Sequence, residues 1–263
     1  MKLKKAKKIM FYSTKGGTGK STAVLISARA FAQKGFKVCV IDVDPQGNLS
    51  ETILGDRIFQ DDYISMADIF TVQIDEDKVR NSINHVDENL DMIGSDINLC
   101  NSEMNVRVYQ MCDQSRLLKK IISVIESDYD LILMDFNPYP SLLTTNGFVA
   151  SDLVIIPTIC DEWGANGIGI TLSLINQINV NFEKKILYKV FVNQISRNND
   201  DKAFMKEIEE QLSDEEIFKT KIRYQAKPFK DKQRGIFEYN KGNSNVAKEW
   251  SLLLEEIERE VEK

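Results

Sequence analysis

The sequence predicts an α/β fold of three layers, in which a mostly parallel, twisted sheet carries helices on both faces. Two observations support this prediction. Short, unbroken aliphatic runs recur along the chain, and segments with helical periodicity lie between them. Unbroken apolar runs are typical of strands buried on both faces of a parallel sheet. Alternation of strands and helices is typical of βαβ units.

The predicted strands are six short runs rich in Val, Ile and Leu. They cover residues 9–12, 38–41, 90–93, 131–134, 153–156 and 187–192. The predicted helices cover residues 22–34, 106–126, 165–177, 201–212 and 246–262. We expect the 263 residues to form a single domain. A variable insert at about 56–89 and a basic region at about 219–241 are expected at the edge or mouth of the sheet.

Composition argues against several classes of protein. No run of uncharged apolar residues is long enough for a membrane span, and the apolar stretch after the lysine-rich start is too short for a signal peptide. The cysteines form no Cys-x-x-Cys pair that would indicate zinc or a disulfide framework, and buried thiols are expected at Cys39, Cys100, Cys112 and Cys160. We expect a cytoplasmic protein, and we assign no role to the single histidine, His85.

A glycine-rich turn follows the first predicted strand. Residues 13–22 read Ser-Thr-Lys-Gly-Gly-Thr-Gly-Lys-Ser-Thr, and a helical pattern follows them. A strand, a glycine-rich turn and a helix N-terminus suit a triphosphate, because backbone N–H groups and the helix dipole favour an anion. Lys20 is expected to neutralise the β and γ phosphates, and Ser21 to bind Mg²⁺. The predicted ATP-binding residues of this turn are Lys15, Gly16, Gly17, Thr18, Gly19, Lys20, Ser21 and Thr22.

Two further predicted strands end in carboxylates. Asp42 and Asp44 follow the second strand, and the alternation of an extended chain places both on one side. Asp135 follows the fourth strand. Because buried carboxylates are costly without a cation, Mg²⁺ with a nucleotide at this edge of the sheet would supply the missing positive charge.

The order of these blocks resembles the ParA/MinD group of P-loop ATPases. Residues 15–21, Lys-Gly-Gly-Thr-Gly-Lys-Ser, are similar to the deviant Walker A motif of that group, since Thr14 stands where the generic P-loop has glycine. Residues 42–48, Asp-Val-Asp-Pro-Gln-Gly-Asn, are similar to the family block Asp-x-Asp-Pro-Gln-Gly-Asn. The resemblance covers almost the whole chain. It implies ATP and Mg²⁺ as cofactors and ATP hydrolysis that is slow without a partner.

The resemblance also implies roles for individual residues. In the family, the lysine at the position of Lys15 crosses a nucleotide-sandwich dimer to the partner's phosphates, as a trans-acting arginine finger would. The aspartate at the position of Asp44 helps to position the attacking water. With Lys20, these two are the predicted catalytic residues. Asp42 and Asp135 are the acidic residues expected at the Mg²⁺ site.

One block departs from the family pattern. ParA proteins usually follow the Walker B aspartate with Thr or Cys and two prolines, whereas Phe136, Asn137 and Pro138 stand here. The departure leaves the aspartate in place and changes the loop around the γ-phosphate, so no hydrolysis rate is predicted. At the end of the sixth predicted strand, Asn193 falls where family members contact adenine. A strand-end cap is the alternative role for this asparagine.

The basic region at 219–241 predicts a DNA-binding face. Eight basic residues minus two acidic residues give it a charge of +6, in a chain whose net charge is −6. Such asymmetry is typical of a surface that binds phosphates. The resemblance matches Arg197, Arg223 and Lys227 to family residues that bind DNA without sequence readout. A solubilising basic loop is the alternative.

Together these features predict an ATPase of DNA partition and segregation. Mg-ATP would drive a homodimer that binds non-specific DNA, and hydrolysis, stimulated by a ParB-like centromere-binding partner, would release it. We expect nucleoid association and no membrane attachment. Iron–sulfur relatives of the fold need cysteines at set positions, and a transcription regulator needs a helix-turn-helix extension. Neither pattern is present in the sequence.

The main alternative is a MinD-like ATPase that positions itself on a membrane. Such a protein should end in a basic amphipathic helix. Acidic residues outnumber basic residues by six to three over residues 246–263, which disfavours an anionic lipid surface. Packing in the core is therefore the expected role of the apolar stripe formed by Trp250, Leu253, Leu254, Ile257 and Val261.

Overall fold

A computed structural model describes residues 5–108, 113–161, 164–196, 199–224 and 245–263. The predicted three-layer α/β fold is confirmed, and all six predicted strands are present. The strands are Lys7–Phe11 (β1), Val38–Asp42 (β2), Asn84–Asp87 (β3), Leu90–Ile93 (β4), Leu131–Asp135 (β5), Leu153–Ile159 (β6) and Leu187–Asn193 (β7).

The helices connect these strands and cover both faces of the sheet. They are Lys20–Gln33 (α1), Asn48–Leu54 (α2), Met66–Ile69 (α3), Glu76–Asn81 (α4), Leu99–Val108 (α5), Leu117–Ile125 (α6), Leu142–Ala150 (α7), Gly164–Asn181 (α8), Asn199–Gln211 (α9) and Asn245–Val261 (α10). Short 3₁₀ turns occupy Gly55–Phe59, Gln114–Arg116 and Glu126–Asp128.

The strand order in the sheet is β3-β4-β2-β5-β1-β6-β7. All pairings are parallel except that of β3 with β4. Alternate residues of the buried strands face opposite layers: Ile9 and Phe11 of β1 pack in the layer of α1 and α10, while Met10 packs in the layer of α6, α7 and α8. Because β1, β2, β5 and β6 are parallel, their carboxyl ends share one edge, where α/β proteins bind ligands.

The prediction of one helix over 106–126 is wrong. Helix α5 ends at Val108, and a new start lies at Asp113, whose Oδ1 accepts from the Ser115 N–H at 3.2 Å. Short polar side chains that bond nearby backbone groups compete with helix continuation. Helix α6 then begins against α7, because the Leu118 N–H donates to Asn146 Oδ1 at 3.0 Å.

Helix α7 and strand β3 were not predicted. Helix α7 begins with a capping box, in which the Ser141 hydroxyl accepts from the Thr144 N–H and the Thr144 side chain accepts from the Ser141 N–H. Strand β3 belongs to the insert and is the outer strand on one side of the sheet. Its sequence, Asn-His-Val-Asp, lacks the aliphatic run that identified the other strands.

The expectation of buried thiols is met by Cys39 and is wrong for Cys100. Cys39 lies within β2, whereas Cys100 is exposed on α5. Cys160 is half-buried after β6. Cys112 lies outside the described residues. Helix α5 buries only its Leu99 and Val106 face, so the cysteine one residue after Leu99 points away from the core.

The outer edge of β7 is covered by residues 216–224. The Val190 N–H donates to the Glu216 carbonyl and the Phe218 N–H to the Val190 carbonyl, both at 2.8 Å. Further along, the Ile222 N–H donates to the Val192 carbonyl at 2.9 Å. The covering segment therefore continues the hydrogen bonding of the sheet without forming a full strand.

Helix α10 packs on this edge, and its apolar stripe is buried. Trp250, 2% exposed, meets Phe191 of β7 edge to face with a centroid distance of 5.9 Å. Leu253, Leu254 and Ile257 are equally buried. The expectation that this stripe packs in the core is therefore confirmed. Among the helices in the described ranges, none combines the length and the apolar character needed to cross a bilayer.

The unusual Phe136 after β5 is accommodated by a glycine in α7. Phe136 is 1% exposed, and a Cβ on Gly147 would lie 2.8 Å from its Cε1 and 2.9 Å from its Cε2. Carbon atoms do not approach so closely. The large side chain after Asp135 therefore requires the absence of a side chain at position 147.

We predict that Gly147→Ala destabilises the protein by about 1–3 kcal/mol, because the added methyl group overpacks against the Phe136 ring. Gly169→Ala is the matched control, since this glycine also lies in a helix and a Cβ there meets nothing within 4 Å. It should raise stability by up to about 1 kcal/mol. Urea unfolding of both variants measures the difference. Equal effects of the two substitutions would contradict the packing argument.

Candidate functional site

The loop between β1 and α1 forms a tight turn at the carboxyl edge of the sheet. Gly17 and Gly19 have φ angles of 76° and 92°, in the left-handed region that favours glycine. Gly19 is the N-cap of α1, and no side chain caps this helix start. The first N–H groups of α1 and its positive dipole end are therefore available to an anion such as a phosphate.

Lys20 is the buried cation of this loop. It is 8% exposed, and its Nζ donates to the Lys15 carbonyl at 3.2 Å. Burial lowers the pKa of Lys20, while the charges of Asp135 and Asp44 oppose that shift. The structure thus brings the predicted phosphate lysine together with two of the predicted acidic residues.

Asp135 ends β5 and is buried beside the start of α1. It is 1% exposed, and its Oδ1 has no hydrogen-bond partner among the described residues. Burial raises the pKa of Asp135 well above its usual range, and the charge of Asp42 adds to the shift. A hydrogen bond with Ser21 and the charge of Lys20 act in the opposite direction.

These surroundings fit a hard cation such as Mg²⁺. A buried carboxylate oxygen without a partner lies beside a serine hydroxyl, and both are oxygen ligands that Mg²⁺ prefers. Mg²⁺ usually takes only one or two protein ligands and completes its shell with phosphates and water. Ser21 and Asp135 are therefore the residues that would hold it.

Asp42 lies opposite Asp135 in the register of β2 and β5. Its Oδ1 accepts from the Asp44 N–H at 3.0 Å, and its Oδ2 accepts from the Ser50 N–H at 2.9 Å and the Ser50 hydroxyl at 2.6 Å. Burial raises the pKa of Asp42 to about 6, although the hydrogen bonds from Ser50 and Asp44 lower it. Asp42 therefore anchors the loop that carries Asp44, and its magnesium-side role stays a prediction.

Asp44 is half-buried at the mouth of the site. Its Oδ1 accepts from the Gln46 N–H at 2.9 Å, and its carbonyl accepts from the Gly47 N–H at 2.9 Å. Gly47, with a φ of 61°, is the N-cap of α2. This turn holds Asp44 on the same side as Lys20, and the charge of Asp44 partly offsets the lowering of the Lys20 pKa by burial.

Asn193, at the end of β7, contacts the backbone of the P-loop. It is 6% exposed, and its Nδ2 donates to the Thr18 carbonyl at 2.8 Å. A Cβ on Gly19 would overlap this amide. The next residue, Gln194, adds a hydrogen bond from its Nε2 to the Gly17 carbonyl at 3.0 Å. The end of β7 thus supports the P-loop, and the adenine contact of Asn193 stays a prediction.

Sequence reasoning missed Gln194, Ser50 and Asp161 as parts of the site. The signal for Ser50 was its place in the first turn of the helix after the Asp42 block. Gln194 follows a predicted strand end, and its φ of 58° reflects the sharp turn there. Asp161 follows β6 and forms an ion pair with Lys15, the residue assigned to the partner's phosphates.

The structure describes only part of the predicted DNA-binding set. Arg223 is paired with Glu249 of α10: its Nε lies 2.6 Å from Oε1, and its backbone N–H donates to Oε2 at 2.9 Å. The Arg223 side chain is 34% exposed. Arg197 and Lys227 lie outside the described residues. DNA binding by these three residues stays a prediction.

Comparison with protein families matches residues 6–188 to the family AAA_31, described as an AAA domain. This span contains the P-loop, Asp42, Asp44 and Asp135. The chain is 33% identical over 189 residues to an uncharacterised protein of Methanocaldococcus jannaschii, an alignment that covers 70% of this chain and 71% of that protein.

Two further relatives carry functional names. The chain is 30% identical over 175 residues to the sporulation initiation inhibitor protein Soj of Bacillus subtilis. This alignment covers 65% of each protein, slightly less than two thirds. It is 25% identical to a putative plasmid partition protein of Borrelia burgdorferi solved with AMPPNP. That alignment covers 98% of this chain and 100% of the other, with a TM-score of 0.77.

We predict that Asp135→Asn stabilises the nucleotide-free protein in EDTA at pH 7 by roughly 1–3 kcal/mol, because it removes a buried charge. The folded-state pKa values of Asp135 and Asp42 are raised. Protonation of these two carboxyl groups therefore favours the folded protein. This stabilisation is complete below the unfolded-state pKa and is lost as pH rises through the folded-state pKa. Wild type should lose stability from about pH 4 to above pH 6, and the advantage of Asp135→Asn should shrink toward pH 4.

Urea unfolding across this pH range is the measurement. Asp130→Asn is the control, since Asp130 is also buried, at 5% exposure, but accepts from the Lys37 N–H at 2.9 Å. This control should give no gain at pH 7. No gain of stability in Asp135→Asn at pH 7 would contradict the prediction.

Proposed function

We propose that this chain, which belongs to the AAA_31 family and is a ParA/MinD-type P-loop ATPase, functions in DNA partition. Mg-ATP binding would pair two subunits into a sandwich dimer that holds non-specific DNA. Hydrolysis, stimulated by a ParB-like centromere-binding protein, would release the DNA.

One observation carries this proposal. Lys15 stands in the loop immediately before the phosphate turn, on the rim of a site that already has its own phosphate lysine in Lys20. The buried Lys20 serves the nucleotide of its own subunit. A second lysine at the rim is useful for phosphoryl transfer when it reaches the phosphates of a neighbouring subunit.

The nucleotide site has the parts that ATP hydrolysis requires. The glycine turn and the start of α1 would bind the phosphates, and Ser21 and Asp135 would hold Mg²⁺, which neutralises phosphate charge when bound. Asp44, fixed by Asp42 and by the Gly47 turn, would orient the attacking water. From the resemblance to the ParA/MinD group, we propose that hydrolysis is slow until a partner protein acts.

Dimerisation offers a simple switch for DNA binding. Each subunit would contribute a basic surface from the segment at 219–241, so that pairing doubles the number of phosphate contacts. Two linked sites bind more tightly than one by avidity, and both affinity and salt dependence rise with the number of phosphates neutralised. Cytoplasmic localisation on the nucleoid is part of this proposal.

A MinD-like role on membranes is the second candidate. The ParA/MinD group, which this chain resembles, includes both kinds of ATPase. The burial of the α10 stripe, with Trp250 at 2% exposure, speaks against a membrane role for this helix, because its apolar side chains already pack in the core. We therefore favour DNA over lipid as the surface that the dimer binds.

We predict that the protein co-sediments with non-specific duplex DNA at least about 10-fold more strongly with Mg-ATP than with ADP or without nucleotide, because only the dimer presents two basic surfaces. Asp44→Ala should keep the DNA bound in ATP, since hydrolysis is blocked. Lys15→Gln should lose the ATP-dependent gain. Lys37→Gln, an exposed lysine just before β2, is the control and should behave as wild type.

The same assay with anionic vesicles separates the candidates. ATP-dependent vesicle binding without DNA binding would favour the membrane role. DNA binding that is equal with and without nucleotide would contradict the switch.

A further inference from the structure

Lys15 is held by an ion pair within its own subunit. Its Nζ donates to Asp161 Oδ2, and Asp161 follows β6, the strand that pairs with β1. The side chains of Lys15 and Asp161 are 21% and 39% exposed. The pair therefore lies at the rim of the nucleotide site, where it is neither fully buried nor fully solvated.

The turn that carries Asp161 is closely packed. The Asp161 N–H donates to the Ile159 carbonyl, and the Gly164 N–H donates to the Asp161 carbonyl, both at 3.0 Å. A Cβ on Gly164 would overlap the Ile159 carbonyl and lie 2.7 Å from Cε2 of Phe204. The backbone of Asp161 is thus hydrogen-bonded on both sides, to Ile159 and to Gly164.

The loop that carries Lys15 is fixed from the other side by α8. The Thr14 hydroxyl donates to the Gly167 carbonyl at 3.1 Å, and a Cβ on Gly167 would lie 3.7 Å from the Lys15 Cβ. Helix α8 therefore packs directly on the backbone of residues 14 and 15. With both backbones held, the ion pair costs less side-chain and backbone entropy than a pair between mobile loops.

We infer that Asp161 is a positioning residue that holds the Lys15 ammonium inside its own subunit. In the dimer, the phosphates of the ATP bound to the second subunit replace the Asp161 carboxylate as the partner of this ammonium. This inference rests on the proposed function, in which Lys15 reaches the phosphates of the partner subunit. Dimerisation then exchanges one anion for another at the same ammonium. A triphosphate carries more negative charge than one carboxylate, whereas ADP lacks the γ-phosphate, so the exchange favours the dimer with ATP and the internal pair with ADP.

The strength of the pair suits such an exchange. Partly exposed ion pairs contribute little, so that breaking one changes an equilibrium by roughly 1.5- to 5-fold. Each subunit of a dimer would break its own pair, and the two factors multiply to roughly 2- to 30-fold. Asp161 would therefore raise the protein concentration needed for pairing without preventing it.

Chemical reactivity of Lys15 tests the ion pair independently of any dimer. The nucleotide-free protein is treated with a low concentration of an acetylating ester, and acetylation of Lys15 is followed by peptide mass spectrometry. Asp161→Asn should increase the rate at Lys15 by roughly 1.5- to 5-fold, because the ε-amino group reacts as the neutral amine and is no longer held as an ammonium in the ion pair. An unchanged rate would overturn the inference.

Sedimentation velocity with a non-hydrolysable ATP analogue and Mg²⁺ tests the consequence for dimerisation. Asp161→Asn should lower the dimer dissociation constant by roughly 2- to 30-fold relative to wild type. In the Lys15→Gln background, which should not dimerise, Asp161→Asn should not restore the dimer, since no ammonium remains to be released. A faster reaction at Lys15 without any change in the dissociation constant would overturn the positioning role.

Asp152 provides a matched control at the other end of β6. It is also 39% exposed, and its Oδ2 lies 3.0 Å from the Nζ of Lys8, a lysine of β1. Asp152→Asn should leave both Lys15 acetylation and the dissociation constant as in wild type. Failure of wild type to form a dimer with the analogue would overturn the proposed function itself, while the acetylation rates would still report on the pair.

Discussion

The site is organised around two carboxylates that are buried side by side on neighbouring strands. Asp42 and Asp135 lie opposite each other in the register of β2 and β5, and the first is 0% and the second 1% exposed. Burial of like charges is unfavourable, and raised pKa values express that cost. A different set of neighbouring groups stabilises each carboxylate. Ser50 and the Asp44 N–H bond to Asp42, while Ser21 and Lys20 face Asp135.

The sequence predicted the parts of this arrangement that follow from local pattern. Aliphatic runs identified the parallel strands, and the glycine spacing identified the turn before α1, because both signals are contained in a few consecutive residues. The partners of those residues come from distant segments. Asn193 reaches the Thr18 carbonyl across 175 positions of the chain, and Asp161 reaches Lys15 across 146. A single sequence holds no signal for such pairings.

The sequence also did not reveal how a residue at one position makes room for a large side chain at a distant position. Phe136 was visible as a departure from the family pattern, but the glycine that makes room for it lies in α7, a helix that was not predicted. The acidic residues of α10 are a similar case. They argued against lipid binding, and in the structure Glu256 accepts from the N–H groups of Lys219 and Thr220, while Glu249 binds Arg223. The helix thus anchors the start of the basic region.

The two sides of the sheet are closed in different ways. On one side the outer strand is β3, which is four residues long and has a register irregularity between His85 and Asp87. On the other, residues 216–224 occupy the hydrogen-bonding groups of β7. Short, irregular or covered edges block the addition of a strand from another molecule. Contacts between copies of this protein would therefore have to form between helices and loops, and such contacts stay reversible in a way that stacked sheets are not.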